Sequence, residues 1–239
     1  MSKWPKQIPE LTETQKRTRD EWMKYWHEGL PRKFGIVERF NHGYPVRFIP
    51  REGEADSPLF TLEIGAGLGE HINHEDLSFQ KYYTLELREN MAETIRERFP
   101  NVECIVGDIQ QKIDFTDRYF DRVIAIHVLE HLPNLPAAIH EIKRVLKDDG
   151  VFQVVIPCEG GLAYAFSRQI SSVRMFNKKF GDRGMSYIWM MKKTEHVNTA
   201  YEILEELRKE FVVEDLQYFP LRIPIVTCNI IIGLNLKKK

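Results

Sequence analysis

The feature that most constrains the fold of this chain is a glycine-rich turn, LEIGAGLGE, at residues 62–70. It follows a short apolar stretch, and we expect a helix to begin after it. Glycines at positions 65, 67 and 69 permit a tight turn and let a ligand approach the backbone closely. The free N–H groups and the positive dipole end of such a helix would favour a carboxylate or a phosphate. The turn therefore predicts an α/β domain that binds a ligand at a strand end.

Short apolar runs alternate with helical patterns along most of the chain. A stripe of Leu135, Ile139 and Ile142 marks one helix, and Thr199 with Glu202 forms a capping box at the start of another. This alternation predicts a Rossmann-like α/β fold with a seven-stranded, mostly parallel sheet, helices on both faces and a C-terminal antiparallel hairpin. The predicted strands cover residues 59–64, 82–87, 102–106, 120–126, 151–156, 212–219 and 225–236.

The N-terminal part of the chain departs from this alternation. Residues 12–29 predict an amphipathic helix, with capping-box spacing between Thr12 and Gln15. This helix either packs on the main domain or forms a lid whose aromatic residues contact a substrate. Residues 44–58 are rich in proline and charge and predict a linker. The predicted boundaries are 1–57 for a helical cap or lid with its linker, and 58–239 for the ligand-binding domain, with a partly helical insertion at about 160–198.

Composition excludes only extreme classes of protein. The 34 basic and 35 acidic side chains give a formal net charge of −1, which does not support a nucleic-acid partner, although it does not exclude one. The three cysteines are widely separated, which fits reduced thiols in a cytoplasmic protein. Residues 223–236 are too short and too rich in β-branched residues for a membrane span. We therefore expect a cytoplasmic protein, and nothing in the composition indicates its oligomeric state.

Two classes of ligand compete for the glycine-rich turn. A dinucleotide site of the G-x-G-x-x-G type would place its third glycine at position 70, where Glu70 would oppose a pyrophosphate. An acidic residue instead precedes the turn, and Glu63 could face a cationic ligand. Glu86 ends the second predicted strand, where a carboxylate can accept two hydrogen bonds from a ribose diol. Asp108 follows the third strand, where it could cap a helix.

Together these motifs resemble those of class I S-adenosylmethionine-dependent methyltransferases, in particular methyltransferases of types 11 and 12. The turn matches the E/D-x-G-x-G-x-G signature of that family. FDRVIAIHVLEHLPNL matches the run around the fourth strand, and KDDGVFQVVIP matches the run that leads into the fifth. The resemblance covers about residues 59–157. It implies S-adenosylmethionine as the cofactor and methyl transfer as the activity.

The resemblance also implies which residues surround the cofactor. The glycine-rich turn would wrap the methionine part, and residues after the second and third strands would hold the ribose and the adenine. The end of the fourth strand would line the sulfonium side. The implied cofactor-binding residues are Glu63, Gly65, Ala66, Gly67, Gly69, Glu86, Leu87, Asp108, Ile109, Ile126 and His127.

Methyl transfer from a sulfonium is an in-line displacement that depends mainly on alignment and on exclusion of water. No metal is expected, because no spaced set of ligands is evident in the sequence. A base helps only where the acceptor carries a proton, and the candidate catalytic residues are His127, His196 and Glu159. Glu130 and His131 are expected to brace the loop after the fourth strand.

The acceptor is the part of the function that the sequence constrains least. The loop IPCEGG, the arginine-rich insertion and the segment EHVN loosely resemble methyltransferases associated with bacterial surface polysaccharides. This similarity favours a small-molecule acceptor, such as a hydroxyl group of a sugar, and Arg168 could bind an acidic group on it. Two other functions stay open, an NAD-dependent oxidoreductase and a protein that binds S-adenosylmethionine without catalysis.

Overall fold

Residues 3–29, 35–49 and 58–239 are described by a computed structural model. Among these residues, no helix is both long enough and apolar enough to cross a bilayer. The regular elements are, in chain order, α1 Glu13–Gly29, α2 Gly35–Val46, β1 Leu59–Ile64, β2 Gln80–Glu86, α3 Glu89–Arg98, β3 Glu103–Val106, β4 Phe120–Ile126, α4 Leu135–Val145, β5 Leu146–Pro157, α5 Leu162–Ile170, α6 Ser172–Phe180, α7 Tyr187–Met190, α8 Ala200–Glu210, β6 Phe211–Phe219 and β7 Ile231–Lys238.

The strands form one seven-stranded sheet in the order β3-β2-β1-β4-β5-β7-β6. Neighbours among β1 to β5 pair in parallel, and β7 pairs antiparallel with both β5 and β6. This arrangement confirms the predicted Rossmann-like fold and its C-terminal antiparallel hairpin. The chain leaves β1 towards β2 and β3 on one side, and later continues from β4 to β5 on the other. The ends of β1 and β4 therefore form a switch point, where open α/β sheets bind ligands.

The last predicted strand is shorter than expected. It was predicted at 225–236, but β7 begins at Ile231 and a 3₁₀ turn precedes it. The buried Asn229 stabilises this turn, because its side chain accepts a hydrogen bond from the Leu221 N–H and donates one to the Ile223 carbonyl. A side-chain amide that satisfies loop backbone groups competes with continuation of a strand.

The prediction of an α-helix after the glycine-rich turn is wrong. A four-residue 3₁₀ turn, His71–His74, takes its place. The run of histidine, isoleucine and asparagine here has low helix propensity, which is the physical reason for the difference. The rings of His71 and His74 both stack on His42 of α2. The helix dipole expected at this position therefore does not contribute to ligand binding.

The predicted linker at 44–58 begins too early. Helix α2 continues through Val46, and the buried Tyr44 donates a hydrogen bond to Asp215 at 2.9 Å. Gly233 lies directly beneath this ring, because a Cβ at Gly233 would come within 2.6 Å of it. The close approach lets α2 pack on β5 and β7, on one face of the sheet. Residues 50–57 lie outside the described part of the chain.

The main core lies between the opposite face of the sheet and helices α4 and α8. The predicted stripe of Leu135, Ile139 and Ile142 is buried, as expected. Thr199 and Glu202 form the predicted capping box at the start of α8. Burial of each large aliphatic side chain contributes about 1.5–3 kcal/mol to stability. The strand ends at the switch point are therefore carried by a tightly packed scaffold.

Helix α1 packs on the insertion, which contains α5, α6 and α7 and is helical as predicted. Trp22 is buried with its ring centroid 5.4 Å from those of Phe176 and Tyr187. Arg183 of the insertion pairs with Glu21 of α1 at 2.9 Å. The aromatic face of α1 is thus occupied by the insertion, and the two segments form a second small core.

Candidate functional site

The glycine-rich turn bends over the carboxyl end of β1. Gly65, Gly67 and Gly69 have positive φ angles of 64°, 59° and 78°, which glycine adopts without strain. A Cβ at Gly65 would come within 2.7 Å of Val128, so the turn lies against the residues that follow β4, and Ala66 is buried. A Cβ at Gly67 would meet no atom of the described residues within 4 Å. The backbone at Gly67 is therefore open to a ligand, as a cofactor cradle requires.

Glu86 closes this turn from the end of β2. One of its carboxylate oxygens accepts a hydrogen bond from the Gly67 N–H at 3.0 Å, and the other accepts one from the Arg88 N–H at 3.0 Å. The residue is only 2% exposed, so its carboxylate is held by these backbone donors. Each carboxylate oxygen can accept more than one hydrogen bond. The predicted ribose contact would use the remaining lone pairs of Glu86.

The structure contradicts the prediction that Glu63 presents an anion to the ligand. Glu63 is 3% exposed and accepts a hydrogen bond from the Tyr82 hydroxyl at 3.0 Å. Burial raises the pKa of its carboxyl to about 8, against the opposing effect of this hydrogen bond. Because side chains alternate along β1, Glu63 lies on the sheet face opposite Leu62 and Ile64, beneath the turn. Its side chain is therefore mostly uncharged at neutral pH.

Glu63 belongs to a group of buried side chains that we call the buried polar layer. Its members are Glu63, Glu75, Tyr82, Arg122 and Gln153. The guanidinium of Arg122 donates to both oxygens of Glu75, at 2.8 and 3.0 Å, and to Gln153 at 2.7 Å. Burial alone would raise the pKa of Glu75, but a hydrogen bond from a neighbouring histidine and the charge of Arg122 lower it to about 2. The Arg122–Glu75 pair is therefore ionised and bidentate.

The residues implied in adenine binding divide between the surface and the core. Leu87 is 65% exposed directly after β2, whereas Ile109 is buried in the main core. Asp108 accepts hydrogen bonds from the backbone and side-chain N–H groups of Gln110, and no α-helix begins there. Asp108 therefore caps a turn instead of a helix. The adenine contacts of these residues stay predictions.

His127 follows β4 directly and has an unusual backbone conformation. Its φ angle is 54°, which is costly for a residue other than glycine and is often retained at functional sites. Its N–H donates to the Val155 carbonyl at 2.9 Å, and the half-buried Ile126 precedes it. The imidazole is 32% exposed, and its Nδ1 lies 3.2 Å from Glu130. Strand β4 thus holds a partly exposed imidazole beside the glycine-rich turn.

Glu130 is a fully buried carboxylate among histidines. Its Oε1 lies 3.2 Å from Nδ1 of His127 and 3.9 Å from Nε2 of His131. Burial alone would raise the pKa of Glu130, but the hydrogen bond to His127 and the electrostatic effect of His131 lower it to about 2. Burial lowers the pKa of His131 to about 4. The carboxylate of Glu130 is therefore ionised at neutral pH.

The insertion brings further side chains to the same place. His196 follows a π-helical turn, Met191–Glu195, a distortion that is frequent at functional sites. Its Nδ1 lies 3.1 Å from Glu159, and its ring meets that of His131 edge to face with centroids 5.0 Å apart. The three predicted catalytic residues, His127, Glu159 and His196, therefore belong to one group of side chains. We call this group the histidine cluster, and its members are His127, Glu130, His131, Glu159, Arg168 and His196.

Glu159 is a buried member of the histidine cluster. It is 4% exposed, and its carboxylate pairs with the buried Arg168 at 2.5 Å as well as with His196. Burial alone would raise the pKa of Glu159, but the hydrogen bond to His196 and the charge of Arg168 lower it. Glu159 is thus a weak proton acceptor that is already committed to two partners.

The sequence did not predict that Glu130 and Arg168 lie in one cluster. For Glu130 the available signal was the spacing His-x-x-Glu-His at residues 127–131, because positions three apart share a face of a helical turn. Nothing in the sequence links this segment to His196. That contact depends on how the insertion packs over the strand ends.

Comparison with known proteins identifies the glycine-rich domain. Residues 62–154 match the family model described as a methyltransferase domain. A sterol 4-C-methyltransferase of Caenorhabditis elegans is 35% identical over 106 residues, which cover 42% of this chain and 32% of that protein. The matched segment thus spans about a third of the length of this relative.

Solved structures resemble the chain over most of its length. A protein of Pyrococcus horikoshii has a TM-score of 0.62 at 18% identity and covers 90% of this chain and 99% of its own. The 1,6-didemethyltoxoflavin-N1-methyltransferase of Burkholderia thailandensis, solved with S-adenosylhomocysteine, has a TM-score of 0.59 at 15% identity over 98% of this chain and 93% of its own. At these identities the likeness shows the fold.

The strand order, the switch point and the glycine-rich turn are those of a Rossmann-like methyltransferase fold. Within this fold, the match to a methyltransferase domain covers residues 62–154, less than half of the chain. The open backbone at Gly67 fits the cofactor. This assignment favours S-adenosylmethionine over NAD as the ligand of the turn.

Proposed function

We propose that this protein transfers a methyl group from S-adenosylmethionine to a hydroxyl group of a small acceptor, in the cytoplasm. The observation that carries this proposal is the His127–Glu130 pair beside the glycine-rich turn. A hydroxyl nucleophile must lose its proton as the carbon–oxygen bond forms, so it benefits from a positioned base. The proposal assigns this role to His127.

The contacts of His127 support its role as the base. When Nδ1 donates to the buried carboxylate of Glu130, the neutral ring carries its free lone pair on Nε2. A carboxylate that fixes the tautomer of an imidazole is the arrangement used by hydrolytic triads. Val128, the next residue, lies against Gly65, so the imidazole is close to the turn that would hold the cofactor. Glu130 is a positioning residue in this scheme.

The cofactor would lie along the ends of β1, β2 and β3. The open backbone at Gly67 supports a contact with the methionine part, and Glu86 would bind the ribose through its remaining lone pairs. The exposed Leu87 supports a contact with one face of the adenine. Asp108 would accept a hydrogen bond from the adenine amino group.

The lining of the histidine cluster supports a polar acceptor. The imidazoles of His127 and His131 are 32% and 33% exposed, and their donors and acceptors suit a hydroxylated molecule such as a sugar or a surface-polysaccharide precursor better than an apolar one. The relative that is named a sterol methyltransferase matches over only 32% of its own length, so its acceptor does not define the one used here. The free cysteines Cys104, Cys158 and Cys228 are compatible with a reducing compartment.

The proposal is tested by measuring S-adenosylhomocysteine release and methylated product over a panel of hydroxylated acceptors. With an active acceptor, we expect His127→Ala to lower kcat by roughly 10²- to 10⁴-fold and to leave S-adenosylhomocysteine affinity nearly unchanged. His140→Ala is the matched control, because this exposed histidine lies on α4 outside the cluster.

Two outcomes would contradict the proposal. An unchanged kcat in His127→Ala would remove His127 as the base. Binding of NAD without binding of S-adenosylhomocysteine would favour an oxidoreductase. Binding of S-adenosylhomocysteine without product from any acceptor, whether oxygen, nitrogen or carbon, would instead favour a non-catalytic binding protein.

A further inference from the structure

The histidine cluster contains a set of potential metal ligands that the sequence did not reveal. Glu130, His131 and His196 each offer one ligand atom, and these atoms all lie within 4.8 Å of one another. Glu130 and His131 lie in the 3₁₀ turn after β4, whereas His196 comes from the insertion. The two segments are distant in sequence, so no metal-binding spacing was available to predict the set.

We propose that Glu130, His131 and His196 bind a divalent transition-metal ion of the zinc class. Two imidazoles and one carboxylate are the protein ligands of many catalytic zinc sites, which keep a further coordination position open for water or substrate. The same ligand types also suit iron(II) and manganese(II). Magnesium and calcium prefer oxygen ligands and fit this set less well.

The unpaired oxygen of Glu130 supports this site independently of the ligand spacing. Oε1 of Glu130 binds His127, but Oε2 is buried and has no hydrogen-bond partner among the described residues. A buried carboxylate oxygen without a partner is costly, and such groups in native structures often mark an ion or a water site. The oxygen of Glu130 near Nε2 of His131 is Oε1, at 3.9 Å, and a cation bound by both carboxylate oxygens would also satisfy Oε2.

The side chains around the ligands resemble the outer shell of a metal site. Metal-binding histidines usually donate their second ring nitrogen to a carboxylate, which fixes the ring and its tautomer. Nδ1 of His196 lies 3.1 Å from Glu159, and Nδ1 of His131 lies 3.9 Å from Glu195. His196 therefore has a carboxylate within hydrogen-bond distance of Nδ1, whereas the carboxylate near His131 lies beyond that distance, and Nε2 of each ring is left for an ion.

The geometry and the charges are compatible with an ion after small movements. Ligand atoms about 2.0–2.1 Å from a tetrahedral zinc are about 3.3 Å from one another, so separations of up to 4.8 Å require rotation of the partly exposed imidazoles. The carboxylates of Glu130, Glu159 and Glu195 favour a cation. Arg168 and Arg19 oppose it, but they pair with Glu159 and Glu195 at 2.5 and 3.9 Å.

In the proposed methyl transfer, which this role presupposes, the ion would bind the acceptor oxygen and make its proton easier to remove. The oxygen attacks the methyl carbon, the carbon–sulfur electron pair returns to sulfur, and S-adenosylhomocysteine leaves as a neutral thioether. The acceptor proton passes to His127. Metal binding itself does not depend on this reaction and can be measured without an acceptor.

The test is titration of the full chain, freed of metal with a chelator, with zinc chloride in a calorimeter. We expect one ion per chain, and weakening by roughly tenfold or more in His131→Ala and in His196→Ala. His140→Ala and Cys104→Ser should bind zinc as the unsubstituted protein does, since both residues lie outside the cluster. Magnesium chloride should bind more weakly than zinc chloride in the unsubstituted protein.

Folding and cofactor binding are measured in the same variants. Circular-dichroism melting checks that each variant is folded. Glu130 itself is not substituted, because it is fully buried and its loss would be more disruptive to the fold than His196→Ala. S-adenosylhomocysteine affinity should stay unchanged in His196→Ala, which separates failure of the metal site from failure of the cofactor site. Absence of stoichiometric zinc binding at micromolar concentration, or equal zinc affinity in the unsubstituted protein and His196→Ala, would overturn the proposal.

Discussion

The buried polar layer and the histidine cluster both bury several ionisable groups, but they satisfy them to different degrees. In the layer, Arg122 uses three N–H groups on Glu75 and Gln153. In the cluster, Oε2 of Glu130 and Nε of Arg168 are buried without a hydrogen-bond partner among the described residues. The layer lies beneath the glycine-rich turn, whereas the cluster lies at the strand ends beside it.

This difference indicates what each region contributes. Buried charges that are fully paired favour one packing arrangement over others. They leave no free hydrogen-bond donors or acceptors for a ligand. Charges that keep unused donors and acceptors are costly unless another molecule completes them. The positive φ angle of His127 and the π-helical turn before His196 are further local costs in the cluster. We infer that the layer stabilises the scaffold, whereas the cluster keeps groups that a ligand can satisfy.

The largest expected effect on the free energy of unfolding comes from replacing the buried arginine of each region with methionine. Arg122→Met should destabilise the fold by about 3–5 kcal/mol, because it leaves the buried charge of Glu75 without its bidentate partner. Arg168→Met should cost roughly 1–3 kcal/mol, because Glu159 keeps its hydrogen bond to His196. Urea unfolding of both variants measures the difference. Equal losses would mean that the two regions do not differ in the way described.

The second prediction concerns the pH dependence of stability through Glu63. Its pKa is about 8 in the folded protein and near the usual value in the unfolded chain, so the folded state prefers the protonated carboxyl. The contribution of this group to stability is fully present below the unfolded pKa and is lost as pH rises towards 8, by at most about 1.4 kcal/mol per pH unit.

Glu63→Gln tests this prediction directly. The amide keeps an acceptor for the Tyr82 hydroxyl but cannot ionise. We expect the variant to become more stable relative to the unsubstituted protein as pH rises from 5 to 8, when both are measured by urea unfolding. A constant difference between the two proteins over this interval would show that Glu63 is not buried as described.

The smallest expected effect is at Glu86, which closes the glycine-rich turn. Glu86→Ala should weaken S-adenosylhomocysteine binding by roughly 1–3 kcal/mol, because it removes a charged acceptor that also holds the Gly67 N–H. Calorimetric titration measures this loss. Glu89→Ala is the control, since this exposed residue pairs with Arg96 on α3 and should leave affinity unchanged. Unchanged affinity in Glu86→Ala would contradict the ribose assignment.

Much of the fold could be predicted because its signals are local. The strands β1 and β4 have the bounds expected from their apolar runs, and both capping boxes form as expected. The 3₁₀ turn after Gly69 was missed because a general expectation for glycine-rich turns overrode the low helix propensity of its own residues. The late start of β7 was missed because it depends on side-chain bonds of Asn229 to a neighbouring loop.

The sequence by itself determined the α/β alternation and the glycine-rich turn, because hydrophobic period and glycine conformation act over a few residues. Only the tertiary structure decided that Glu63 is buried and mostly uncharged, since its pKa depends on the surroundings that the whole fold creates. The tertiary structure likewise brought His196 of the insertion to Glu130 after β4. Contacts between distant segments depend on packing, which no local pattern encodes.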